Sequence, residues 1–131
     1  MRNANLYGNR TTKAESIASI KDELIRSKKV GNNTFEVVYK NGDRAIRLHR
    51  TDIVTWRTIY CSACYGTKLK RIVLNTNGWE TVTTKARMNQ YMPNGHIYQH
   101  KYKWYVKTPD GDVPYYDGMI LDYDGYHCPR L

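Results

Sequence analysis

The sequence predicts a single α+β domain: an antiparallel sheet of five to seven strands, an N-terminal helix and a short second helix. Three observations carry that expectation. Short runs rich in Val, Ile, Thr and Tyr recur between Asn-Gly and Asp-Gly pairs, which punctuate hairpins rather than βαβ crossovers. Apolar residues recur at helical spacing near the N-terminus and again around Met88. The 131 residues suit one domain of ordinary size, able to bury a core without metal or disulfides.

Residues 1–11 (MRNANLYGNRT) have no periodicity and are expected to form a flexible arm. The domain proper is expected over 12–121, followed by an acidic, turn-rich tail over 122–131. Thr12-Lys13-Ala14-Glu15 has capping-box spacing, and Ile17, Ile20 and Leu24 share a helical face. This first helix should end near Lys28–Lys29, where cations suit the negative end of the dipole, before Gly31-Asn32-Asn33. In TFEVVYKNGDRAIRLH, Asn41-Gly42 predicts a two-residue type I′ hairpin turn. That turn sets Lys40 opposite Asp43, Glu36 opposite Arg47, Phe35 opposite Leu48 and Val37 opposite Ile46, so charge and apolarity fall on separate faces. Arg47 is accordingly expected to be structural. Further strands are expected over Asp52–Cys61 and Lys68–Leu74, joined around CSACYGT. Asn77-Gly78 then turns the chain into a helix from about Thr84 to Met92, ended by Pro93. HIYQHKYKWYVKT reads as two strands around Lys101–Lys103, and a last strand is expected near Val113–Tyr116 or Met119–Leu121.

Charge narrows the function. The chain carries +9, with twelve Tyr and three Trp against one Phe, a composition suited to half-wet surfaces. Residues 1–108 hold 20 of the 21 Lys and Arg but 7 of the 12 Asp and Glu, a net +13, whereas residues 109–131 hold one Arg and five Asp, a net −4. A basic body favours an anionic partner. The acidic end either competes for the body's own site or supplies Asp for turns. No apolar run approaches the roughly 18 residues of a membrane span, and no signal-like stretch follows Met1. Three cysteines are too few for a disulfide scaffold and suit a reducing, intracellular location.

RLHRTDIVTW, LNTNGWETVTTKARMNQYMP, WYV and DGM together resemble a family of small proteins from tailed bacteriophages that share a Gly-Trp-x-Thr-x-Thr-Thr-Lys-x-Arg-x-Asn core. Here that core falls on Gly78, Trp79, Thr81, Thr83, Thr84, Lys85, Arg87 and Asn89. The resemblance covers about residues 34–121 and implies a phage origin, with the host cytoplasm as location, rather than a defined activity. YCSACYGTK departs from it by being longer than the usual short turn.

Two surfaces could carry binding. At the second helix start, free N–H groups with the Thr83 and Thr84 hydroxyls can hold a phosphate, and Lys85 and Arg87 in the first turn are unfavourable without a nearby anion. The competing account is plain capping, with Trp79 packed as a plug. The second surface interleaves Tyr98, Tyr102 and Tyr105 with His96, His100, Lys101, Lys103 and Lys107, supplemented by Arg50, Arg57, Lys68, Lys70 and Arg71. Aromatics on a basic sheet stack bases while cations follow phosphates, although amphipathic strands give the same alternation. Cys61 and Cys64 in CSACYG have zinc-knuckle spacing but lack two well-placed further ligands; a redox pair or a reduced hairpin tip are the other readings. No phosphate-binding Gly loop, nuclease or zinc-protease motif occurs, and His49, His96 and His100 are the only acid–base candidates, so neither enzyme activity nor a cofactor is expected. The expected function is non-enzymatic binding of an anionic partner, foremost nucleic acid, by Thr83, Thr84, Lys85, Arg87, Lys101, Tyr102, Lys103, Arg57 and Lys70. The alternative is a protein-directed inhibitor or counter-defence factor, anti-CRISPR-like, that covers an acidic surface of a host nuclease or polymerase.

Overall fold

The computed structural model describes residues 24–61 and 67–129, so the expected arm and the expected helix as far as residue 23 lie outside it. From residue 24 onward the chain is strand: β1 (Leu24–Gly31) pairs antiparallel with β2 (Thr34–Tyr39). The expected helix end at Lys28–Lys29 is thereby corrected. Nearly every residue of β1 is exposed, so no alternation marks it in the sequence. What fixes the strand is backbone pairing to β2 through the Asn32-Asn33 turn, where Asn33 takes φ 53°. β1 is the edge of the sheet, and its Arg26, Lys28 and Lys29 discourage pairing with another chain.

β2 and β3 (Arg44–Leu48) form the expected hairpin, one residue out of the expected register. Phe35 lies opposite Arg47, Glu36 opposite Ile46 and Val37 opposite Ala45. The cause is the turn. Gly42 takes φ 96° but Asn41 does not adopt a positive φ, which a type I′ turn requires of both. Instead the Asn41 Oδ1 accepts the Asp43 N–H at 2.9 Å, and Tyr39 N–H donates to the Asp43 carbonyl at 2.8 Å, closing a three-residue loop. Partners change with the register. Glu36 pairs with Arg44 at 2.7 Å, Arg47 with Asp52 at 2.7 Å, and Asp43 with Arg57 at 3.2 Å. Arg47 is structural, as expected, through a different acid.

β4 (Thr51–Cys61) and β5 (Thr67–Leu74) form a long ribbon whose register runs from Val54–Leu74 to Cys61–Thr67. A bulge lies where Ile46–Val54 pairing gives way to Arg47–Asp52. It lets Ile53 and Val54 both enter the core while Asp52 and Thr55 face the other side.

After β5 the chain leaves the sheet. It forms α1 (Val82–Tyr91), then β6 (His96–His100), β7 (Lys103–Thr108) and β8 (Gly111–Pro114), and returns as β9 (Met119–Asp122) beside β5, with β10 (His127–Cys128) beyond. Both stretches expected to supply a last strand do so. The result is mostly β: a seven-stranded antiparallel sheet ordered β1-β2-β3-β4-β5-β9-β10, a three-stranded sheet β6-β7-β8, and one helix among the described residues. One face of the large sheet (Ile46, Leu48, Val54, Ile72, Leu74, Leu121) meets Met88 and Met92 of α1 and Ile97, Trp104 and Val106 of the small sheet in a single core. Val37, Tyr39 and Ala45 cluster on the opposite face.

The excursion is pinned at its neck by Asp117. Its carboxylate accepts the Thr76 N–H at 2.8 Å, the Thr76 hydroxyl at 2.9 Å, the Gly78 N–H at 3.2 Å and the Tyr115 hydroxyl at 2.7 Å. Beside it, Gly118 N–H donates to the Leu74 carbonyl at 2.7 Å.

Candidate functional site

The stretch 75–89 is resolved residue by residue into structural work and what remains. Asn77 (φ 54°) and Gly78 (φ 84°) make the turn. The helix begins two residues earlier than expected, with Thr81 as N-cap: its Oγ1 accepts the Thr84 N–H at 3.1 Å and lies 2.9 Å from the Thr84 hydroxyl. Thr84 is 4% exposed, so its hydroxyl serves the cap. Arg87 moves into the second turn, where its Nε donates to Thr34 Oγ1 at 3.1 Å and ties α1 to β2. Asn89 clamps α1 to β6, its amide donating to the Ile97 carbonyl at 2.9 Å and accepting the Ile97 N–H at 2.7 Å. Lys85 is half-buried, its Nζ 6.0 Å from the Trp104 ring centroid. Trp79 and Thr83 are among those without such a task. Thr83 is exposed, and Trp79 is 68% exposed, which corrects its reading as a buried plug. Both face open recesses instead of the core.

Those recesses adjoin. One, of about 450 Å³, lies between Trp79, His49, Arg50 and Thr84 over a floor of Leu48 and Ile53. Its neighbour, about 440 Å³, extends past Trp79 to Asn32, Asn33, Thr83 and Arg87. His49 holds a left-handed φ of 56°, and its N–H donates to the Asn33 carbonyl at 2.8 Å, fixing the β3–β4 turn against the β1–β2 turn.

The second surface is the outer face of the small sheet. Strand alternation sends Ile97, Trp104 and Val106 inward and leaves His96, Tyr98, His100, Lys103, Tyr105 and Lys107 outward. Tyr98 and Tyr105 are register partners whose rings stack with centroids 5.6 Å apart and planes 23° apart. Lys107 Nζ stands 5.7 Å from the Tyr98 ring, and the Tyr98 hydroxyl donates to Asp112, a bond that raises its pKa. The β6–β7 turn is Lys101-Tyr102, both in left-handed φ (50° and 68°) without glycine, and Tyr102 is 94% exposed at the tip. Glu80, next to Trp79, shares a recess of about 270 Å³ with Tyr102, Lys103 and Tyr105. The helix start and the hairpin tip thus border one another.

Of the remaining expected site residues, Arg57 is tied to Asp43 and lines a recess of about 690 Å³ on the opposite face of the large sheet, with Tyr39, Arg47 and Asp52. In that recess Arg47 Nη2 donates to the Tyr39 hydroxyl at 2.6 Å, and Tyr39 in turn donates to Asp52. Burial first, then the bond to Asp52 and its charge, push the Tyr39 phenol up to about 12. Lys70 is exposed on the β4–β5 ribbon opposite Thr58, apart from both aromatic surfaces. Cys64 and the Cys61 side chain lie outside the described residues, among which no three His, Cys, Asp or Glu are grouped to hold a metal. The structure therefore brings together Lys101, Tyr102 and Lys103, places Thr83 at the Trp79 recess, and assigns Thr84, Arg87 and Arg57 structural bonds. Reading the residues singly missed the Tyr98–Tyr105 pair as a unit. A two-residue turn at Lys101-Tyr102 would have set them opposite each other.

Fold and surface define a small, basic, mostly-β protein whose three-stranded sheet turns stacked tyrosines and lysines outward. Within that class, the chain belongs to a phage protein family: the model described as Kyanoviridae Gp96 protein matches residues 9–122. No curated protein and no solved structure matches it. No helix among the described residues is long and apolar enough to cross a membrane.

Proposed function

We propose that this phage protein is a non-enzymatic binder of single-stranded nucleic acid in the host cytoplasm, with the outer face of β6-β7-β8 as its platform. The observation that carries the reading is the stacked Tyr98–Tyr105 pair flanked by Lys103 and Lys107 on a solvent-facing sheet. Tyrosine rings accept any base by stacking, and lysines one step away on the same face meet the phosphates. Lys101 and Tyr102 extend that surface at the hairpin tip. Lys101, Lys103 and Lys107 outnumber the two acids beside this surface, Asp112, which accepts from the Tyr98 hydroxyl, and Glu80, which lines the recess at the tip.

Fluorescence anisotropy with labelled single-stranded DNA and RNA of roughly ten nucleotides tests the reading. Affinity should fall with salt at a log–log slope of about −0.7 per phosphate contacted. Lys103→Gln and Lys107→Gln should each flatten that slope by about 0.7, and Tyr98→Ala with Tyr105→Ala should cost about 1–3 kcal/mol per stacked base. Absence of binding to either strand type at about 50 mM salt would remove the proposal. The protein-directed inhibitor would then stand, supported by the exposed Trp79, Val82 and Tyr102, and nuclease-resistant capture of a host protein would be its test.

A further inference from the structure

We propose that the recess beside Trp79 is a nucleobase slot, in which one base of the bound strand stacks on the indole. The proposal rests on the nucleic-acid reading above but uses a different part of the molecule. Its starting point is what the bonds around 75–89 leave over. Gly78, Thr81, Thr84, Arg87 and Asn89 all have structural partners, whereas Trp79 keeps 68% of its surface in solvent at the mouth of a cavity. The helix start is already partly spent, because Thr81 satisfies the Thr84 N–H.

The slot has the chemistry of a base site. Leu48 and Ile53 are buried at its floor, so a planar ring entering beside Trp79 meets apolar atoms on its inner edge. The rim carries amide and hydroxyl groups: Asn77 on one side and, in the adjoining lobe, Asn32, Asn33 and Thr83. Such groups meet the edges of a base without dictating its identity. About 450 Å³ lies within the roughly 300–1,000 Å³ of small-ligand pockets. The charge is one-sided. Arg50 and Arg87 line the two lobes, and no Asp or Glu does so among the described residues. The walls are also fixed in advance, since the His49–Asn33 bond holds one turn against the other. Arg50 is exposed at the slot's edge, where the phosphate of a stacked nucleotide would lie.

Tryptophan emission of the full chain, titrated with adenosine 5′-monophosphate and uridine 5′-monophosphate, reads the slot directly. Trp104 is buried and Trp56 is half-buried beneath the Arg44 guanidinium, 4.3 Å away, so a base that stacks on an indole quenches Trp79. We expect a saturable quench that is abolished in Trp79→Leu, weakened about tenfold in Arg50→Gln, and retained in the Tyr98→Ala/Tyr105→Ala variant. Trp79→Leu should melt like the parent, because the indole is not part of the core. A quench that is absent, or that survives Trp79→Leu, overturns the slot even if oligonucleotide anisotropy is normal. A saturable quench without oligonucleotide binding supports the slot while removing the sheet as a platform. Quenching by a phenylalanine-bearing peptide, with nucleotides inert, overturns the slot in favour of a protein side chain.

Discussion

At Asp117, four donors converge on one carboxylate, and the outcome for its acidity is a contest. Partial burial alone would raise its pKa, but the hydrogen bonds from Tyr115, Thr76 and Gly78 outweigh it and hold the carboxyl below its ordinary value. The sign for stability follows. A folded-state pKa depressed below the unfolded value gives stability that is complete above the unfolded pKa, about 3.9, and is lost as pH falls through the folded one. Asp117→Asn should therefore lower the unfolding free energy measured in urea at neutral pH by about 1–3 kcal/mol, since its one carbonyl oxygen cannot serve all four donors, and flatten the acid limb of the stability profile. An unchanged acid limb would show that Asp117 is not the group responsible. Its neighbour Tyr115 is pushed up by burial and by that same carboxylate, so it stays a donor throughout this range.

At the scale of elements, the sequence was legible wherever burial printed a pattern. β4, β5, α1 and the β6–β7 hairpin lie close to where they were expected, since Ile72, Leu74, Met88, Ile97 and Val106 mark inward faces. β1 was not legible, because an edge strand exposed on both sides leaves no periodicity, and Ile17, Ile20 and Leu24 extended a helical pattern into it. The β2–β3 register was misread by one residue because Asn-Gly encodes two turns. The three-residue form is favoured here by the Asn41 Oδ1, which accepts the Asp43 N–H. That difference is measurable. In a type I′ turn Asn41→Gly would be tolerated or helpful, as glycine accepts positive φ. Here it should lower stability by about 1 kcal/mol, the net worth of a hydrogen bond, in chemical denaturation. A neutral or stabilised Asn41→Gly variant would restore the two-residue turn. The candidate site was half legible for the same reason: Lys101, Tyr102 and Lys103 sit at a tip any hairpin exposes, whereas Arg57 and Arg87 were drawn away by Asp43 and Thr34, partners distant in sequence.

Over the whole molecule, charge and topology divide the labour. Each aspartate of the C-terminal stretch whose carboxylate bonds are described serves a turn or a strand: Asp112, Asp117 and Asp122 accept from neighbours within the fold. These three aspartates thus have structural work in the fold, while the chain as a whole keeps its net charge of +9. The two aromatic surfaces lie on the excursion or at its junction with the large sheet, so they can vary without disturbing the strand order β1 to β5.

That junction sets an order of events when the chain folds. β5 and β9 are sheet neighbours, yet the whole of 75–118 lies between them, and closing so long a loop is slow relative to forming the hairpins on either side. The β2–β5 meander and the α1–β8 excursion can each assemble from local contacts. β9 then docks last, as Asp117 and Gly118 lock the neck. Leu121→Ala should cost about 2–5 kcal/mol and act almost wholly by speeding unfolding, leaving the refolding arm of the chevron in place. A refolding rate that slowed in proportion would put β9 in the nucleus instead. Asp117, on this account, is a latch closed after the two halves have already taken shape.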